Sequence, residues 1–493
     1  MKDTAEARVV KAMLDGEAPS VLMTDGYKFS MGQAGFPLRP EVFYLSFRRP
    51  GRYFIPFDLN EIIQHLLPRT VSRLEAAYLE SVGYGLTPAM EEALRGAVTV
   101  KAAPKGSWVR EREPILTVSG PSFLVSWLEP MVIWLQYPIQ VATAVMLDEQ
   151  TEFTCTCMTE RTIASEAIKA TGKPGFANST ADRYFVAVNQ AAKDLVAAAK
   201  GDTHRLMEVG MRGATCMEMH EEALTACKAA GIYATSNVYL ARLMSMKPIG
   251  TAGHEHQQRW GSDIAAFRAI RDMRPQMPSF LFDTFNADRG IQNAIDAARE
   301  IDWPNDPKRA CSVRFDSGDR DAQFKTFVMG DKAYKLGLTY VFMDSITDKA
   351  VEHFEELATE QGIPHSRCVY GAGGFLVGKP APTPYTRDRV SAVYKLCKSG
   401  DRPTMKFSTE VKQSIPGEPV IFRRIKGLRE PPFVDGRYTE CAGLIGQSGE
   451  AAPWGFSRLT GPDDSVEYEY EGKIGYTLET TAMIDALRGG KKG

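Results

Sequence analysis

The sequence predicts an α/β protein centred on a (β/α) barrel-like domain, and three observations lead there. From about residue 180, short apolar segments alternate with helical ones, the rhythm of a parallel sheet crossed by helices. The last four apolar segments end at Asp283, Asp316, Asp344 and Gly371. Their spacing is roughly 30 residues, one strand–helix unit. Each ends in a polar or glycine-bearing stretch, and in barrels of this kind chemistry gathers at the carboxyl ends of the strands. Seven or so such units suit a barrel better than a doubly wound sheet.

The elements follow in order. Residues 20–120 mix short strands with a helical region whose apolar residues Ile62, Ile63, Leu66 and Leu67 recur three and four apart. AVTVKAAP and GSWVREREPILTVSG read as strands, and RYFVAVNQAAKDLVAAAK as a long alanine-rich helix. MEVGMRG is then a short buried strand, EMHEEALTACKAAG a helix, IYATSN a strand, YLARLMS a helix and PIGTAGHE a strand. SFLFDTF, CSVRFDSGD and TYVFMDS are strands, each followed by a helix, and SRCVYGAGG closes the series. After residue 380 the pattern breaks into basic, strand-like sequence, and the GGKKG tail is expected to fray. Residues 150–175, with the Thr-Cys-Thr-Cys run, suggest no role.

Composition bounds the function. A chain of 493 residues implies two or three packed units. The net charge of −2 provides no global basic field, so nucleic acid is not an expected partner and any anion site must be local. Of the eight cysteines only Cys155 and Cys157 are close, and no second pair completes a zinc set; they read as reduced thiols of a cytoplasmic enzyme. The charged N-terminus has no apolar signal core. The most apolar stretch, 122–147, is interrupted by Glu129, Pro130, Gln136, Pro138 and Gln140, and reads as buried helices and not as a membrane span.

Several clusters could carry chemistry. VRFDSGD packs Arg314, Asp316 and Ser317 at a strand end: arginine clamps phosphate bidentately, and aspartates hold ribose hydroxyls or, through magnesium, a diphosphate. YGAGGFLVG places Gly373 and Gly374 where backbone N–H groups could meet an anion, without a Walker or dinucleotide pattern. PIGTAGHE sets His254 after a strand, as general base or phosphoryl acceptor. MTDGYKFSMGQAGF holds Tyr27 between Asp25 and Lys28, and FRRP carries Arg48 and Arg49.

Together, from about residue 20 to 425, these motifs resemble the nicotinate phosphoribosyltransferase family. MTDGYKFSMGQA resembles its Thr-Asp-x-Tyr signature, FRRP its Phe-Arg-x-x-Pro element, and ATSNVYLARLMSMKPIGTAGHE its Thr-Ser-Asn and Gly-Thr-x-x-His; DTFNADRG, VRFDSGD, YGAGG and VYKL follow in family order. The resemblance implies a type II phosphoribosyltransferase fold. It has an N-terminal α/β domain (1–150), a barrel-like domain (151–380) and a C-terminal segment (381–493) that completes an α/β sandwich with the first. It implies a homodimer with shared sites, in which the partner subunit supplies Tyr27 to stack on a pyridine ring. Arg212 would contact the base, and Arg314 and Asp316 the base and ribose. Asp283 and Asp344 would lie around the ribose and 5′-phosphate, with Gly373 and Gly374 on that phosphate. Arg48 and Lys395 would meet pyrophosphate, and His254 would be phosphorylated by ATP. The implied substrates are nicotinate, phosphoribosyl pyrophosphate (PRPP) and ATP, with Mg2+ arriving on the phosphates and no metal held by the protein alone.

The chain departs from the family at three places. Gly213 follows Arg212 where many nicotinate enzymes have a second arginine, as in the nicotinamide enzymes; Val209 stands where those carry a stacking Phe; and Asn286 occupies a second acidic place. Nicotinamide enzymes carry an Asp at the position of Ser236, where a neutral hydroxyl suits a carboxylate substrate. Nicotinate is therefore the expected base, with nicotinamide as the alternative. A non-catalytic nucleotide sensor on the same scaffold is a further alternative, disfavoured by the charges of Arg314, Asp316, Asp344 and His254. Quinolinate enzymes are shorter and lack this Gly-Thr-x-x-His.

Overall fold

Seven strands run parallel through the centre of the chain, in the order Lys247–Pro248, Ala234–Thr235, Leu206–Glu208, Cys368–Ala372, Thr339–Phe342, Ser312–Phe315, Ser279–Leu281. This computed structural model describes residues 3–179, 182–274, 278–301, 311–407, 414–426, 438, 440–453, 456–459 and 468–489; the GGKKG tail lies largely outside them. Among the described residues the two outer strands do not pair with each other, so the sheet is an open half-barrel. The PIGTAGHE strand is shorter than expected. Only Lys247–Pro248 pairs, and a helix begins at His254. Pro248 has no N–H to donate and Gly250 and Gly253 favour irregular backbone, which suits an edge.

Period-two alternation explains how the sheet presents chemistry on one side. Val313 and Phe315 are fully buried, and the Phe315 ring meets Phe324 and Phe327 of the helix Arg320–Tyr334. Arg314 between them points to the opposite face. The aromatic layer continues through Phe342, stacked on Phe315 at 4.9 Å and on Phe354 of the helix Asp348–Glu360 at 4.1 Å. Side-chain caps start the crossover helices immediately after the strand ends. Asn286 accepts the Arg289 N–H, Asp319 that of Ala322 and Thr347 that of Ala350. Asn286, in the family's second acidic place, is thus a helix cap here.

A five-stranded antiparallel sheet joins the two ends of the sequence: Arg402–Pro403, Ala392–Ser399, Pro40–Phe47, Leu116–Pro121, Thr99–Ala102. A four-stranded sheet of later segments is tied to the turn that precedes Leu116–Pro121 by the fully buried Arg423–Glu113 pair, 2.5 Å apart. Residues 122–147 form three short helices, Ser122–Trp127, Glu129–Trp134 and Gln136–Met146, almost wholly buried. No described helix is long and apolar enough to cross a membrane. Residues 150–175 lie in a small unit: strands Glu152–Cys155 and Phe176–Ser179 pair in parallel, linked by the helix Met158–Thr171. All eight cysteines are free and buried.

Candidate active site

A cleft of about 850 Å³ opens at the carboxyl ends of the parallel strands. Arg314 and Asp316 enter it from one strand end, Met343 and Asp344 from the next, and Gly371, Gly373 and Gly374 from the third. Thr251 and Gly250 of the Gly-Thr pair line it beside them. Arg314 donates to Asp316 at 2.6 Å, to the Thr251 hydroxyl at 3.1 Å and to the Ala252 carbonyl at 2.9 Å, which fixes its fork at the floor. Asp344 holds a left-handed backbone, φ 60°, uncommon for a residue with a side chain. Arg320 supports it by donating to the Met343 and Asp344 carbonyls at 3.2 and 2.8 Å. The carbonyls of Gly373 and Gly374 are taken by the N–H groups of Leu376, Val377 and Lys379, leaving their N–H groups as what this turn can offer an anion.

His254 stands in a buried polar cluster behind Asp316. Its Nε2 lies 3.2 Å from Asp316 and accepts from the Lys406 ammonium at 2.6 Å, while Nδ1 meets the Thr284 hydroxyl at 3.0 Å. Lys406 also reaches Asp283 at 3.4 Å, and Ser317 donates to the same Asp283 carboxylate. Burial, then the Lys406 charge, lowers the His254 pKa, which favours the neutral ring, its Nε2 lone pair facing Lys406. Burial alone would raise the Asp316 carboxyl, but Arg314, His254 and Lys406 hold it well below the usual range. The candidate ligand atoms of His254, Asp283 and Asp316, one imidazole and two carboxylates, lie within 4.8 Å of one another, with the Lys406 ammonium at most 3.9 Å from each.

The facing wall comes from the N-terminal part of the chain. The Gly26 N–H donates to the Ser236 carbonyl at 2.8 Å, and the backbone at Gly250 packs against Gly26 and Tyr27 so closely that a Cβ there would lie 2.2 Å from the Tyr27 nitrogen. This brings Tyr27 and Asp25 to the cleft beside Val209, Arg212, Gly213 and Ser236. Ser236 donates to Asp25 at 2.5 Å. Burial raises the Asp25 pKa against the opposing effects of Arg212 and Ser236.

Among named proteins similar to this chain is a nicotinate phosphoribosyltransferase of Mycobacterium tuberculosis, 25% identical over 448 residues that cover 88% of this chain and 79% of the relative. The human protein of that name is 25% identical over 438 residues, covering 84% and 78%. One from Arabidopsis thaliana is 26% identical over 482 residues, covering 84% and 76%. Over most of its length the chain is thus similar to proteins named nicotinate phosphoribosyltransferase. No family model matches it. The crystal structure of the nicotinate phosphoribosyltransferase of Porphyromonas gingivalis overlays with a TM-score of 0.56 at 18% identity, over 80% of this chain and 95% of that one. That of Vibrio cholerae gives 0.57 at 17%, over 81% and 91%. The chain thus shares the fold of these nicotinate phosphoribosyltransferases of known structure.

Within this chain, the cleft gathers Tyr27, Arg212, Ser236, Arg314, Asp316, Asp344, Gly373 and Gly374, with His254, Asp283 and Ser317 linked to it through Asp316 and Lys406. Tyr27 departs from its expected origin: it reaches the cleft of its own chain, because the Gly26–Ser236 hydrogen bond and the Gly250 contact bind its segment to its own half-barrel. Arg48 does not line this cleft. It lies in a neighbouring cavity with Tyr44, Arg112 and Arg488, although Arg387 on the cleft wall is near enough for its charge to lower the Arg48 pKa, after burial. Lys395, paired in register with Tyr44, also sits off the wall; burial, opposed by Glu129 and assisted by Arg48, pushes its pKa down to about 7. The Ser236 hydroxyl, expected to face a substrate carboxylate alone, is engaged by Asp25, so an acid stands in the base region after all. Sequence reasoning missed Arg387, Asp388, Lys406 and Glu129. Arg387 and Asp388 follow the last strand in TRDR, a run with no motif, and Lys406 lies in the basic stretch read only as strand-like.

Proposed function

We propose that this protein transfers the phosphoribosyl group of PRPP to nicotinate, forming nicotinate mononucleotide and pyrophosphate in pyridine nucleotide salvage, with ATP hydrolysis assisting. One observation carries the reading: an arginine–aspartate pair, a glycine turn and an aromatic–arginine wall surround one cleft, with a neutral histidine behind it. As pyrophosphate departs, positive charge grows on the ribose ring, and Asp316, ionised at neutral pH, is the carboxylate placed to stabilise it. Asp344 and the Gly373–Gly374 turn would hold the ribose and its 5′-phosphate. Arg212 would pair with the carboxylate of the base and Tyr27 stack on its ring. Arg387, with Arg48 and Lys395 behind the wall, would take the pyrophosphate. Magnesium entering with PRPP or ATP would neutralise phosphate charge, and the Asp283 and Asp316 carboxylates are the oxygen donors that could assist it. His254 would accept a phosphoryl group from ATP at its Nε2 lone pair once Lys406 moves aside. Two copies of the chain would make the working homodimer.

Nicotinamide is the second reading, and Asp25 is the observation that favours it. Its Oδ2 is buried beside the base region with no hydrogen-bond partner among the described residues, an acceptor suited to an amide N–H. Mononucleotide formation from PRPP with each base, with and without ATP, decides between them. The expected result is product from nicotinate, increased by ATP in the parent and not in His254→Ala, which keeps slow basal transfer. Product from nicotinamide alone would reverse the base assignment. Equal ATP stimulation of His254→Ala would refute the phosphohistidine.

A further inference from the structure

Resting on the reading of the cleft as a base site, we propose that Glu129 is its positioning residue, one buried carboxylate that fixes both the Tyr27 ring and the Arg212 guanidinium. Glu129 opens the helix Glu129–Trp134 and does not line the cleft. Its Oε2 accepts the Tyr27 phenol proton at 2.5 Å and faces the Lys28 ammonium at 2.7 Å, while Oε1 accepts from Arg212 at 3.3 Å. Three groups from two distant segments, the adjacent Tyr27 and Lys28 and the remote Arg212, thus meet on one carboxylate, and two of them form the wall against which a flat base would lie. Asp25 lies 3.9 Å from Arg212, so Glu129 makes the shorter contact.

The geometry matches a demand of the chemistry. A pyridine ring gains little from an aromatic face that swings, and ordering that face at the moment of binding would cost affinity. Tying the phenol at its hydroxyl end, with the preceding Gly26 already bonded to the Ser236 carbonyl, removes that freedom beforehand. The same carboxylate offsets part of the Arg212 charge, so the guanidinium serves as a directed donor. Burial would raise the Glu129 carboxyl, but Lys28, Arg212 and Lys395 hold it below the usual range, so it stays ionised in this role. A purely structural duty is less demanding. Lys28, the buried cation, keeps Glu255 at 2.7 Å if Glu129 is lost.

Steady-state kinetics of the full-length protein for both substrates, in Glu129→Gln, Tyr27→Phe and the double variant, test this. Glu129→Gln is expected to raise KM for the base about tenfold, as loss of charge-assisted hydrogen bonds would. KM for PRPP should stay within about twofold, and the double variant should be no worse than Glu129→Gln alone, since both changes cut the same tie. Equal shifts in both KM values, or additive effects, would overturn the proposal. Should Glu129→Gln fail to fold, Tyr27→Phe decides: it removes only the hydroxyl, and an unchanged KM for the base would also overturn it. If the parent makes no mononucleotide with either base, the functional reading fails separately. Equilibrium binding of nicotinate then tests the tie, weakened in Glu129→Gln if the proposal holds and unchanged if it does not.

Discussion

Lys395 shows how one side chain can set a pH response. With its pKa pushed down to about 7, it is a cation below neutrality and loses its proton above. If it helps hold pyrophosphate, KM for PRPP should rise as pH increases from 6 to 8, and Lys395→Met should have a higher and flatter KM over that range. A parent profile that falls or stays level would remove Lys395 from that role. At this scale the sequence was informative where charge sat next to a strand: Arg314, Asp316 and Asp344 all face the cleft. It was uninformative where a role depends on a distant partner. Glu129 looked like a polar interruption of an apolar run, and its bonds to Tyr27 and Arg212 cross 102 and 83 residues of chain. Ser236 appeared to act through its own hydroxyl, and only the fold places Asp25 against it.

Elements carry the site because of how they begin and end. The strand–helix units after residue 278 were legible since alternation and caps agree there: Val313 and Phe315 face the helices, Arg314 faces the cleft, and Asp319 starts the next helix. The PIGTAGHE segment was misjudged because Gly250 and Thr251 serve contacts to other segments in place of a ladder. Gly250→Ala tests that view. A Cβ there would meet the Tyr27 nitrogen at 2.2 Å, backbone that cannot swing aside. Overpacking of this kind costs about 1–3 kcal/mol, so a lower Tm together with a raised KM for the base is expected. A Gly250→Ala variant with the parent's Tm and kinetics would show that the close approach is dispensable.

Across the whole molecule, the sheet joining Pro40–Phe47 to Ala392–Ser399 sets the N-terminal segments over the half-barrel. Composition could not reveal that pairing, because strands some 350 residues apart leave no local trace; the resemblance implied only that C-terminal residues complete the N-terminal domain. The resemblance also placed Tyr27 in the partner's site, whereas here it lines its own. Mixing Tyr27→Ala with His254→Ala protein probes this directly. With both residues acting in one chain's cleft, the mixture should give no more than the sum of its parts. Restoration of activity well above that sum would mean that segments are exchanged between subunits.

The central claim, that this cleft stabilises a ribosyl cation as pyrophosphate leaves, is tested most directly by the rate of pyrophosphate release from PRPP and nicotinate in Asp316→Asn beside the parent. The buried, ionised carboxylate should be worth about 100-fold or more in kcat, typical of a group opposing charge in the transition state, with the fold unchanged by thermal melting. A folded Asp316→Asn enzyme releasing pyrophosphate at the parent's rate would contradict it.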